Sequence, residues 1–167
     1  ENSVFQAQNC DAELGSVAQS IFLHQGLLYI VVHNSDIIHV VRAEDFRTVG
    51  TITGLALPRF FLAIDDQKAY VSQWGEGLRD KANIAVVDLV ERKVLKTIPT
   101  GAGTENLLRQ GDKVYAVNEG ALLNDSLLLV LDPQRDEIIQ RIALPFYNPH
   151  SLQTDQNGDL WVLCRGF

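Results

Sequence analysis

Four large polar side chains, Gln19, Arg59, Glu105 and His150, stand 10 or 11 residues before the aromatics Tyr29, Tyr70, Tyr115 and Trp161. An amide, a guanidinium, a carboxylate and an imidazole gathered at one place could hold a polar ligand by charge-assisted hydrogen bonds. They could equally satisfy one another and ordered water. A third use is catalytic: His150, Glu105 and Arg59 could supply an acid, a base and an anion clamp for a lyase or lactonase. The set makes a poor metal site, with one imidazole and one carboxylate. His24, His33 and His39 fall at other registers, and no H-x-x-x-H spacing occurs. No G-x-S-x-G elbow is present. The glycine-rich stretch Gly101–Glu105 precedes an expected strand, whereas phosphate binding uses a helix N-terminus. Asp88 and Asp132 recur at turn starts, where carboxylates cap backbone N–H groups. The residues therefore favour binding over catalysis, and no metal or cofactor is expected.

Neighbouring positions add to the candidate set. Ser20, Phe60, Asn106 and Ser151 follow the four polar residues, and Asn106 joins them as a candidate. After the aromatics come His33, Asn34, Trp74, Asn118, Glu119 and Arg165; of these Asn34, Trp74, Asn118 and Arg165 are carried as ligand-binding candidates. Trp74 lies in the glycine-flanked run Gln73–Arg79, either as an exposed stacking surface or folded back over the edge of its own unit. Phe146, Tyr147 and Pro149 form a second aromatic loop before His150.

The elements that must position these residues repeat. The aromatics are spaced by 41, 45 and 46 residues, close to the period of a four-stranded propeller blade. Each follows a first strand (Ser20–Leu23, Phe60–Ala63, Asn106–Arg109, Ser151–Thr154) and a polar turn such as His24–Gly26 or Asp155–Gly158. Second and third shared segments come after it, such as Ala85–Asp88 and Leu95–Ile98. Short β-rich runs with turn signals at this spacing predict an all-β fold with few helices. Each unit reads as antiparallel strands A to D, with A innermost. The repeats span approximately 16–55, 56–102, 103–147 and an incomplete 148–167, about 3.5 blades of one β-propeller. Residues before 16 read as the tail of a preceding blade, with Ser3–Gln6 an outer strand. A closed ring takes 4–8 blades, so further blades or a second copy are expected to complete it. Strand A lines the axis, which would turn Gln19, Arg59, Glu105 and His150 toward the central mouth.

Bulk properties narrow the partners. At 46% apolar and 21% charged residues the chain is globular. A formal charge of −7 argues against nucleic acid and against an anionic membrane surface. No apolar run reaches the length of a spanning helix. Two cysteines cannot make a disulfide framework; Cys164, in the apolar strand Leu160–Cys164, reads as a buried free thiol, with a bridge to Cys10 the minor alternative.

The stretches Val17–Ser20, Tyr29–Ser35, Gly50–Leu55, Pro58–Phe61, Lys68–Ser72, Thr104–Leu107 and Leu160–Cys164 resemble the YncE-like, YVTN-type β-propeller proteins of Bacteroidetes. The resemblance covers nearly the whole chain. It implies a seven-bladed ring of which this chain is about half. It also implies an extracytoplasmic location, at the cell surface or in the periplasm. The group includes surface lipoproteins that capture cobalamin for an outer-membrane transporter. A small molecule such as a corrinoid, or the transporter itself, is thus the implied partner. Ile21 and Leu107 replace methionines usual in that group and read as core positions.

Overall fold

A computed structural model describes residues 4–76 and 81–166. They fold into three four-stranded antiparallel sheets and a two-stranded one. The first sheet is β1 (Ala18–His24), β2 (Leu27–Val32), β3 (Ile37–Arg42) and β4 (Thr48–Ile52). The second is β5 (Pro58–Ala63), β6 (Lys68–Gln73), β7 (Ala82–Asp88) and β8 (Lys93–Gly101). The third is β9 (Thr104–Gln110), β10 (Lys113–Asn118), β11 (Leu127–Asp132) and β12 (Glu137–Ala143), and the last is β13 (Pro149–Thr154) with β14 (Leu160–Cys164). Each strand pairs with the next in sequence, as the repeat predicts.

Alternation along the central strands gives each sheet two apolar faces, and these stack blade on blade. Tyr29, Val31, Ile38 and Val40 pack on Phe61, Val71, Ala85 and Val87 between the first two blades. Tyr70, Ile84 and Val86 meet Leu107, Val114 and Leu129 between the second and third. Val117 and Leu128 meet Leu152 between the third and fourth. Asp88 caps the N–H groups of Val90 and Glu91, and Asp132 those of Gln134 and Arg135. Both carboxylates are thus turn residues.

Two expectations need correction. The expected outer strand Ser3–Gln6 is not one: Val4–Gln8 is a short helix, α1, and Ser3 lies outside the described residues. Phe5 explains why, since its ring is buried against Ile30, Val32 and Val41 on the otherwise open flank of the first blade. Helical backbone satisfies itself locally, so this cover needs no partner strand. Ile21 is not core; it stands 62% exposed on the innermost strand. Trp161, the aromatic of the last sheet, is 64% exposed on the outward flank of β14, its indole N–H reaching Asp155. Cys164 is half-buried, Cys10 is exposed, and both are free thiols.

Candidate functional site

Every strand A opens with a β-bulge. Pairing jumps from Ala18 to Ser20, from Pro58 to Phe61, from Thr104 to Leu107 and from Pro149 to Ser151. The residues skipped include Gln19, Arg59, Glu105 and His150. A bulge inserts an unpaired residue and re-aims its side chain. The four polar residues therefore leave the alternation of their sheets at the same end of each blade.

A second ring of equivalent positions meets them. His33, Trp74, Glu119 and Arg165 each lie four residues after their blade's aromatic, in the B-to-C connection. The two rings interlock across blades. The His33 Nδ1–H donates to the Pro58 carbonyl at 3.2 Å. The Trp74 Nε1–H donates to Glu105 Oε1 at 2.7 Å. Glu119 Oε2 accepts from His150 Nδ1 at 3.2 Å. His33, Trp74 and Glu119 thus each reach the bulge of the following blade. His33 and Glu119 were visible in the sequence only as loop residues; the signal that singles them out is the constant offset from the aromatic.

At the centre Arg59 and Glu105 form a two-pronged pair, Nε to Oε1 at 2.7 Å and Nη2 to Oε2 at 3.3 Å. Their side chains are 10% and 0% exposed. The Arg59 guanidinium also lies 4.2 Å from the Trp74 ring centroid, a cation–π contact, and His33 meets that ring edge-on at 5.3 Å. Trp74 is therefore folded back over the ion pair rather than standing free. Residues 77–79 of its loop lie outside the described residues. Burial raises the Glu105 carboxyl above its ordinary value, against the pull of Arg59, and the nearby Glu119 charge adds to the rise. Burial and the Arg59 charge push the His33 imidazole down.

Toward solvent, Arg165 donates to Glu119 Oε1 at 2.9 Å and to His150 Nε2 at 2.7 Å. Since a guanidinium only donates, His150 Nε2 accepts with a lone pair and Nδ1 carries the proton toward Glu119. Glu105, Glu119 and His150 each offer a donor atom within 4.8 Å of the others, the group best suited to hold a metal among the described residues. The closeness of Glu119 to Glu105 has a backbone cause. The Glu119 N–H bonds the Gly103 carbonyl at 2.8 Å, and Gly103 has φ +58 with room for no side chain: a Cβ there would lie 2.0 Å from the Ala121 nitrogen.

The remaining candidates divide. Gln19 is half-buried, and its side chain makes no hydrogen bond among the described residues. Asn34 is exposed in the short 3-10 turn His33–Ser35. Asn106 accepts from the Leu152 N–H at 3.1 Å, and Ser20 donates to the Arg59 carbonyl at 2.7 Å, so both tie neighbouring blades. Asn118 was expected on the exposed face but is fully buried: it holds Thr104 Oγ1 and the Thr100 carbonyl, and so shapes the turn beneath Glu105. The strand-A residues Ser20, Phe22, Phe60, Asn106, Leu107 and Leu152 line an axial cleft of about 310 Å³.

Radially stacked four-stranded sheets with the innermost strands around a shared cleft define a β-propeller. The chain belongs to a family described as a domain of unknown function, DUF5074, which matches residues 1–165. No match is found among the curated proteins. Among solved structures it is similar to Kuenenia stuttgartiensis hydrazine synthase, at 21% identity and a TM-score of 0.69, over 83% of this chain and 39% of that one. It is also similar to the WD40 β-propeller domain of Doa1, at 16% identity and TM-score 0.67, over 86% of this chain and 45% of that one. A third is the dihydro-heme d1 dehydrogenase NirN in complex with DHE, at 15% identity and TM-score 0.64, over 83% and 30%. The chain spans less than half the length of each, and at these identities the likeness shows the fold alone. Among the described residues no helix is long and apolar enough to cross a membrane.

Proposed function

We propose that this chain is part of a non-enzymatic, extracytoplasmic binding propeller, and that the bulge face of its blades presents polar groups to a small molecule. The resemblance to cobalamin-capturing propellers makes a corrinoid, handed to an outer-membrane transporter, the ligand class to test first. The observation that carries the reading is the repeated bulge. One backbone device, used in four consecutive blades, turns a large polar residue out of each sheet at the same end, and such convergence of a few fixed polar groups is how a concave site orients a ligand. The lyase alternative is weakened by Arg59, whose guanidinium is committed to Glu105 and covered by Trp74. For the same reason Arg59 is not the group to meet a corrinoid phosphate; Arg165, 55% exposed at its side chain, is the guanidinium that a ligand can reach.

The test is calorimetry of the complete protein with cyanocobalamin at micromolar concentration. Binding is expected, and Arg165→Ala should weaken it about ten- to a hundredfold, the worth of one charged hydrogen bond. Absence of binding refutes the corrinoid assignment. Unchanged affinity in Arg165→Ala moves the ligand off this face.

A further inference from the structure

We propose that Glu105, Glu119 and His150 form a binding site for a divalent cation of the zinc class, with Arg165 as a displaceable guanidinium that stands in for it. The three side chains come from two adjoining blades and two kinds of connection: the bulges of β9 and β13, and the loop after β10. Their donor atoms lie within 4.8 Å of one another. One imidazole nitrogen and two carboxylate oxygens suit a borderline divalent ion, and three protein ligands are the number that leaves a coordination position open. Bonds of about 2.0–2.2 Å put tetrahedral donors about 3.4 Å apart, so a cation would draw this set together by roughly 1 Å.

The position of Arg165 points to a cation independently of the ligand count. Its two terminal nitrogens address Glu119 Oε1 and the lone pair of His150 Nε2, a carboxylate oxygen and an imidazole nitrogen of two of the three ligand residues. A neutral imidazole lone pair and a carboxylate converging on one point form a cation site, whichever cation fills it. The two counter-cations of the cluster are unequal. Arg59 is buried and fixed to Glu105, and belongs to the fold. Arg165 is more than half exposed, so it can swing into water at little cost. Once it leaves, Glu105 and Glu119 face a single guanidinium, one negative charge remains, and an imidazole nitrogen is free. Glu105 retains lone pairs beyond those used by Arg59 and Trp74, since a carboxylate offers about four. The open coordination position would face the solvent side of the cluster. Its use by a bound ligand would rest on the binding reading above; the cation itself does not.

The experiment uses chelator-stripped full chain carrying Cys10→Ser, because the exposed Cys10 shares a cleft with His39 that could take up zinc by itself. Zn²⁺ alone is titrated by calorimetry, and melting temperature is followed with and without it; no organic ligand is present, so the outcome is separate from the corrinoid test. One ion per chain is expected at micromolar affinity, with a rise in melting temperature. Glu119→Gln and His150→Gln should each weaken binding at least tenfold, and Arg165→Ala should tighten it several-fold by removing the competitor. Circular dichroism checks each variant; should His150→Gln not fold, Glu119→Gln and Arg165→Ala decide. Absence of saturable binding overturns the proposal. So does unchanged affinity in a folded Glu119→Gln or His150→Gln, or weakened affinity in Arg165→Ala.

Discussion

Arg59 and Glu105 hold the face together at a place that water does not reach. Taking both charges out of water is costly, and their mutual attraction and hydrogen bonds offset that cost only while both partners are present. Burial already favours the protonated form of Glu105. Its folded value lies above the unfolded one of about 4.3, so its linkage contribution is fully present below that pH and lost as pH rises through the folded value. Removing Arg59 widens the gap. Arg59→Ala should therefore cost about 3–5 kcal/mol near neutral pH, and the deficit should shrink as pH is lowered and Glu105 takes up a proton. Urea denaturation at a series of pH values checks this. A deficit independent of pH would mean that lost packing against Trp74, rather than an uncompensated carboxylate, explains the cost. The double change Arg59→Met with Glu105→Leu should recover most of the loss, since no buried charge is left.

At the scale of the blade, Tyr70 shows how an aromatic opening strand B joins two sheets. Its ring is fully buried between the second and third blades, and its hydroxyl donates to Asp136 Oδ1 at 2.7 Å. Burial works to raise the Asp136 carboxyl, but hydrogen bonds from Tyr70, Lys68 and Lys96 outweigh it and hold the group below its ordinary value. A depressed carboxylate contributes stability above the unfolded value of about 3.9 that is lost as pH falls through the folded one. Tyr70→Phe should cost about 1.5–3 kcal/mol at neutral pH, and the difference from wild type should fade below about pH 4. Parallel melts at pH 7 and pH 3 measure it. This anchor was legible in the sequence because its aromatic recurs with the period of the blade, and strand order and blade stacking follow from that recurrence. The bulges were not legible. A spacing of 10 or 11 residues to the aromatic locates strand A but does not tell whether a residue lies in the ladder or outside it. That is why Asn118 was placed on the face and Glu119 left among the loops, although adjacent backbone positions send the first inward and the second outward. Helix α1 was misread for a related reason: Val4–Gln8 is too short for periodicity to decide, and Phe5 is drawn by tertiary packing.

For the whole molecule, the two flanks of the blade stack differ. The first blade has part of its outer face covered by Phe5 and Leu14 from the segment around α1. Among the described residues the last sheet has no such cover: Trp161 and Leu163 project from β14, 64% and 61% exposed. In the second blade the equivalent strand-B face is the one that buries Tyr70 against the third blade. A two-stranded sheet with an apolar face and open edge groups is a template for further pairing and stacking. The 167-residue chain on its own should therefore associate at rising concentration through this flank. Paired changes Trp161→Lys and Leu163→Lys should suppress that association, at little cost to stability because both side chains are largely in water already. Sedimentation velocity over a range of concentrations measures the association, and urea denaturation the stability. Burial of the flank should also be visible in tryptophan emission. Trp74, packed against Arg59 and His33, reports one environment, whereas Trp161 should shift to shorter wavelength as the chain associates. A monomer at all concentrations, with Trp161 quenched freely by acrylamide, would show that this flank does not drive self-association.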